Sequence, residues 1–197
     1  MKKQGKFWDK DKNGNLINDT AAEKISAEFK PLINKIKKLI LEHLGSSCHS
    51  IYLTGSIPRG LAVCGESDLD IFVILNPKVS SKKFLTDLKE KCNALLKDKT
   101  VSKIDIELWE FSEVLPLGKD ANNIKLKETL SVYDAILKTA SLCIHGDDLV
   151  AILPPISPGL ALANIELIEL KPDIKFATKS IARNKSPANV SYWCKFM

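Results

Sequence analysis

The feature that most constrains this chain is an ordered pair of short motifs set between two apolar strands. Ser50-Ile51-Tyr52-Leu53 reads as a strand and runs into Thr54-Gly55-Ser56-Ile57-Pro58-Arg59-Gly60. Glu66-Ser67-Asp68-Leu69-Asp70-Ile71-Phe72-Val73-Ile74 follows a short loop later and opens a second apolar strand. Gly55 lets the backbone approach a bulky anion, and Ser56 adds a hydroxyl. N–H groups at the start of a following helical turn are expected to point at that anion. Side chains alternate along a strand, so Asp68 and Asp70 project one way while Leu69 and Ile71 enter the core. Two carboxylates so close repel, and a divalent cation relieves the repulsion; Mg²⁺ is held in this way by one or two carboxylates plus substrate phosphates. The pattern implies a phosphate cradle beside a metal-binding acid pair, with a third acid elsewhere in the chain.

Gly55-Ser56, Arg59-Gly60 and Ser67-Asp68-Leu69-Asp70, in that order, resemble the signature of the nucleotidyltransferase superfamily, which includes DNA polymerase beta and the antibiotic nucleotidyltransferases. Eleven residues, Ile57 to Ser67, separate Ser56 from Asp68, one more than is usual in the small bacterial members. The extra residue falls in the Ala62–Gly65 loop. The resemblance implies an α+β nucleotidyltransferase fold, a small mixed β-sheet packed on helices and followed by a helical C-terminal portion.

Lys103-Ile104-Asp105-Ile106-Glu107-Leu108-Trp109-Glu110-Phe111 alternates strictly. Ile104, Ile106 and Leu108 form one face of a strand; Asp105, Glu107, Trp109 and Phe111 form the other. In the superfamily a third acid sits on such a strand, on the face that looks at the Asp-x-Asp pair. Asp105 matches that position best, and Glu107 is the alternative or a partner. The resemblance thus implies catalytic roles for Asp68, Asp70, Asp105 and Glu107, with Asp68, Asp70 and Asp105 on Mg²⁺. Gly55, Ser56, Arg59 and Ser67 are expected around a nucleoside triphosphate, ATP being the nucleotide implied. Arg59 either neutralises phosphate charge or pairs with Glu66 or another nearby acid.

The rest of the chain supplies the frame. Residues 1–20 are polar; Asp9-Lys10-Asp11-Lys12-Asn13-Gly14-Asn15 copies half of a calcium-binding loop, but Thr20 stands where the bidentate Glu belongs, so it reads as an Asp/Asn/Gly turn. A helical pattern runs from Ala21 to Leu44 through Ile25, Phe29, Leu32, Ile33, Ile36, Leu39 and Ile40, with Pro31 starting a second helix or kinking the first. A second helix, capped by Ser80 or Ser81, carries Phe84, Leu85, Leu88, Cys92, Leu95 and Leu96. Residues 122–145 predict a third long helix stopped by Gly146, Asp147-Asp148 a cap or turn, and Leu153-Pro154-Pro155 a break. Domains are expected at 21–150, the nucleotidyltransferase domain, and 151–197, a helical region with helices at 157–170 and 173–183. Residues 188–197 begin a helical pattern without a stop residue; the resemblance implies that a helical C-terminal domain continues past such a segment in family members, so the chain is expected to be shorter than its relatives.

Composition excludes some classes. Among 197 residues no apolar run approaches a membrane span, and the basic Met1–Lys6 stretch has no apolar run behind it, so no secretory signal is expected. Five scattered cysteines without a Cys-x-x-Cys pair suggest reduced thiols in a cytoplasm. A net charge of +5 interleaved with acids suits anionic substrates and does not indicate nucleic acid. The expected activity is Mg²⁺-dependent transfer of a nucleoside monophosphate to a hydroxyl acceptor. The acceptor is a small molecule such as an antibiotic; the alternatives are an antitoxin or regulatory protein working on a helical protein partner, or a catalytically idle nucleotide-binding module.

Overall fold

A computed structural model describes residues 9–80, 85–114, 132–159, 172, 174–186 and 190. They fall in two compact units, residues 1–157 and 158–197.

Among the described residues of the first unit, four strands form one sheet: β1 (Cys48–Thr54), β2 (Leu69–Leu75), β3 (Ile104–Trp109) and β4 (Ser141–Gly146), in the order β3-β2-β1-β4. β1 pairs antiparallel with both β2 and β4, and β2 pairs parallel with β3. The sheet is mixed and small, as expected. A parallel pair needs a crossover, and α2 (Leu85–Asn93) lies on that connection.

Alternation divides the sheet between two cores. Ile51, Leu53, Leu69, Ile71, Val73, Leu75, Ile104, Ile106 and Leu108 face α1 (Lys30–Leu44) and α2 in the larger cluster. Helix α1 contributes Leu32, Ile33, Ile36, Ile40 and Leu44, the three-to-four spacing of a single stripe; each such side chain stabilises by roughly 1.5–3 kcal/mol when fully buried. Pro31 starts this helix instead of kinking a longer one, and the preceding Ala22–Lys24 is a single 3₁₀ turn. Gly45, at φ +52°, ends α1 with its N–H bonded to Leu41 O.

Tyr52, Phe72, Ile74 and Trp109 point to the opposite face, where they meet Leu137, Leu149 and Leu153 in a smaller cluster. The helix expected over 122–145 is corrected here. Residues 115–131 lie outside the described residues; α4 (Val132–Ala140) ends at Ala140, and Ser141–Gly146 is strand β4. Leu142 and Ile144 could extend either period, and the open edge of β1 decides for the strand by pairing Leu142, Cys143 and His145 with Leu53, Tyr52 and Ile51; Ile144 falls at the register shift between Cys143 and His145. α3 (Phe111–Val114) takes Phe111 out of the β3 strand.

Smaller expectations hold. Asp11 Oδ1 accepts from the N–H groups of Asn13 (2.8 Å) and Asn15 (2.9 Å), closing the Asp/Asn/Gly turn with Gly14 at φ +82°. Asp148 caps the 3₁₀ turn Leu149–Ala151 through Val150 N–H. Phe84, Ser81, most of 157–170 and most of 188–197 lie outside the described residues. In the second unit, backbone is helical over 174–183.

Candidate active site

The site begins where β1 stops. Thr54 is the last strand residue, and its neighbours across the sheet are Asp70 on β2 and Ser141 on β4; Asp70 in turn lies beside Asp105 on β3. A single row, Ser141, Thr54, Asp70, Asp105, thus crosses all four strands at one level. Glu107 lies next to Phe72, two residues farther along β3 on the same face. The third carboxylate predicted from the alternating segment therefore reaches the Asp-x-Asp pair through strand register.

Gly55 turns the chain at φ +78°, and a Cβ built there would stand 2.5 Å from Asp70 Oδ2. Glycine is required both for the backbone angle and for the carboxylate that fills the space a side chain would take. Residues 55–60 then form turns, with Gly60 N–H on Ile57 O (3.1 Å) and Leu61 N–H on Ser56 O (3.0 Å), where a helical turn was expected. Pro58 has no N–H to continue a helical ladder, and Gly60 lies at φ +71°, outside helical space. The extra residue in the following loop is absorbed by a tight closure: Ser67 Oγ accepts from Val63 N–H (2.9 Å), and Ser67 N–H bonds Val63 O (2.9 Å).

A cavity of about 340 Å³ opens at this end of the sheet. Its polar wall is Thr54, Gly55, Arg59, Asp70, Asp105 and Glu107; Ile136 and Ala140 of α4 and Phe72 of β2 supply apolar surface. Of the residues expected at the site, Gly55, Arg59, Asp70, Asp105 and Glu107 are brought together around the cavity. Ser56, Ser67 and Asp68 are not among its lining residues. Asp68 is still close enough to act on Asp70, whose carboxyl is pushed up to about 6 by burial first, then by the negative charges of Asp68 and Asp105.

Several partners of the acids had no signal in the motifs. The Ser102 hydroxyl donates to Asp68 Oδ1, and Lys103 Nζ is ion-paired with Asp105 Oδ2. Trp109 Nε1 donates to Glu107 Oε2 at 3.2 Å, and its ring stacks on Phe72 with centroids 4.3 Å apart. Lys103 and Trp109 share the face of Asp105 and Glu107, so alternation alone could have nominated them. Arg59 Nε donates to Asp19 Oδ1 at 2.8 Å, and Asp19 comes from the polar N-terminal segment, which no spacing rule connects to Arg59.

Among the described residues, no three histidine, cysteine or acidic side chains are gathered as a metal-holding group; Asp68 is turned onto Ser102 and Asp105 onto Lys103. The donor set nonetheless suits a hard divalent cation. It offers only oxygen ligands, and the half-buried Asp70 carries a repulsion that a cation removes.

Comparison with known proteins gives the chain a family. A family model described as the nucleotidyltransferase domain matches residues 33–132, about half of the chain. The crystal structure of spectinomycin adenyltransferase AAD(9) from Enterococcus faecialis with ATP and spectinomycin is similar to it at a TM-score of 0.50 and 18% identity, over 76% of this chain and 67% of that one. A toxin-antitoxin structure with AMP-PNP aligns at a TM-score of 0.39 and 18% identity, over 77% and 95%. The toxin-antitoxin MntA-HepT aligns at 0.35 and 18%, over 79% and 92%. No curated protein matches the chain. With the motif order, the mixed sheet and the family match in agreement, this chain belongs to the nucleotidyltransferase domain family.

Proposed function

We propose that the chain transfers a nucleoside monophosphate, AMP from ATP, to a hydroxyl of a small molecule such as an antibiotic, releasing pyrophosphate. The observation that carries the reading is the register of Asp70 with Asp105, which sets two carboxylates side by side at a cavity whose turn brings Gly55 against one of them. Asp68, Asp70 and Asp105 would hold Mg²⁺. When bound, the ion supplies neutralisation of phosphate charge and polarisation of the reacting phosphoryl oxygen.

The protein's own groups divide the remaining work. The Gly55-Ser56 turn binds the outgoing phosphates, and Arg59 offsets the charge that grows there as pyrophosphate leaves. Glu107, oriented by the Trp109 indole, accepts the proton of the acceptor hydroxyl. The acceptor oxygen bonds to the α-phosphorus while the bond from that phosphorus to the bridging oxygen of pyrophosphate breaks. Ile136 and Ala140 give the cavity an apolar side against which the carbon frame of a small acceptor can lie. The fold shared with an antibiotic adenyltransferase is consistent with a small-molecule acceptor.

The test is direct. The full chain is incubated with Mg²⁺, ATP labelled at the α-phosphate and a panel of aminoglycosides and lincosamides, and pyrophosphate and labelled products are followed together. One labelled drug adduct with matching pyrophosphate is expected. Silence across the panel, or label arriving on a polypeptide, would remove the small-molecule acceptor.

A further inference from the structure

Asp19 and Arg59 meet as a pair that is mostly withdrawn from water, with side chains 12% and 16% exposed and 2.8 Å between Oδ1 and Nε. Exposed ion pairs contribute little to stability and need no scaffold. This one has a scaffold. The Asn18 amide donates to Ser141 O at 2.8 Å, Thr20 N–H donates to Asn18 Oδ1, and the single proton of the Thr20 hydroxyl is shared between Asn18 Oδ1 and Ser141 O, at 2.8 and 3.0 Å. Ala21 N–H bonds Pro58 O at 3.0 Å, and Lys24 Nζ donates to Asp19 O. The segment 18–21 is therefore a strap that ties the first residue of β4 to the turn bearing Arg59, and it carries the Asp19 carboxylate in with it.

The place of Arg59 gives the strap its meaning. Asp70, Asp105 and Glu107 line the cavity, and Arg59 is the cation among its described lining residues. A polyanionic ligand entering such a site needs that cation held at the wall, because the same guanidinium could otherwise turn toward the carboxylates inside. A carboxylate on Nε fixes the plane of the guanidinium, and plane and direction decide how it meets phosphate oxygens.

We propose that Asp19 is a positioning residue for phosphate recognition: delivered by the 18–21 strap, it holds the Arg59 guanidinium at the cavity wall, facing the triphosphate of the incoming nucleotide. This rests on the reading of the cavity as the nucleotide site. Asp19 itself touches neither substrate nor reacting atoms.

The experiment measures equilibrium binding of ATP, inorganic tripolyphosphate and adenosine, each with Mg²⁺, to the full chain by calorimetry, alongside kcat and KM for ATP. Asp19→Asn is expected to weaken ATP and tripolyphosphate about tenfold, the scale of one charge-assisted hydrogen bond, and to raise KM for ATP by a similar factor. Adenosine binding stays as in the parent. Arg59→Gln weakens the same two ligands, and adding Asp19→Asn to Arg59→Gln changes nothing more, since Asp19 acts only through Arg59. The double variant removes the Arg59 charge together with its Asp19 partner, so it supplies the answer if Asp19→Asn alone does not fold; a further loss of tripolyphosphate binding in it overturns the proposal. Asp19→Asn binding tripolyphosphate like the parent, while Arg59→Gln binds it weakly, overturns the role of Asp19 and leaves that of Arg59. Arg59→Gln binding like the parent overturns the nucleotide-site reading as well. Equal losses for adenosine and tripolyphosphate reveal a general disturbance and also overturn it.

Discussion

Asp70 is the residue on which the most constraints meet: the Gly55 backbone on one side, Asp105 in register on another, and Asp68 two residues away along its own chain. Its carboxyl is raised to about 6 from an ordinary value near 3.8, chiefly by burial. The folded protein therefore binds this proton more tightly than the unfolded chain does. Between about pH 4 and 6 the folded state carries more protons, so stability falls as pH rises through that window, and above it the fold bears the full cost of the charge. In EDTA at pH 7.5, Asp70→Asn should therefore be more stable than the parent by about 1–2 kcal/mol in urea unfolding, a figure discounted for the part of the group that solvent reaches. The gain should vanish near pH 4, and no gain at pH 7.5 would mean that the charge is not the burden described. Gly55→Ala tests the contact from the other side. The atom its methyl would strike is the end of the Asp70 side chain, which can move. The variant should lose only about 1–2 kcal/mol of stability, from the left-handed backbone angle, yet drop kcat/KM for ATP at least about a hundredfold as Asp70 is displaced.

Among the elements, β4 shows where local pattern and tertiary demand part company. A Cβ on Gly146 would stand 2.0 Å from His49 O, a backbone atom that cannot step aside, and Gly146 lies at φ +79°. Gly146→Ala should unpair the end of β4 from β1 and cost about 2–4 kcal/mol, measured by chemical denaturation. β1, β2 and β3 were legible because alternation and apolar runs are properties of the strand itself, and the site acids Asp70, Asp105 and Glu107 came with them. β4 was not, because Leu137, Ala140 and Ile144 keep a helical spacing across the α4–β4 junction, and only the open edge of β1 ends it. Asp19 was illegible for a stronger reason. Its partner is far along the chain, and nothing within a strap of Asn18, Asp19 and Thr20 distinguishes a buried ion pair from a wet turn. The partners Ser102, Lys103 and Trp109 fall between these cases, since they sit beside acids that the motifs had already placed.

At the scale of the whole molecule, a ligand that binds only the folded first unit must stabilise it. ATP with Mg²⁺ at about a hundred times its dissociation constant should add about 2.7 kcal/mol, seen as a rise in Tm of several degrees. Asp68→Asn with Asp70→Asn should abolish the Mg²⁺-dependent part of that rise, and an undiminished rise would remove both acids from the metal site. No described helix is long and apolar enough to cross a membrane. The row of Thr54, Asp70 and Asp105 has a final consequence for how such a chain can vary by descent. The spacing of the acids is set by ladder hydrogen bonds across the sheet and hardly at all by the length of chain between them. An inserted residue near Ala62–Gly65 is taken up in a turn and leaves the chemistry untouched. One residue lost between Ile104 and Glu107 would instead invert the rest of the strand, bringing an isoleucine to the cavity and an acid to the core. Gains and losses should therefore accumulate in the loops of related chains and be purged from β2 and β3, whatever acceptor each one serves.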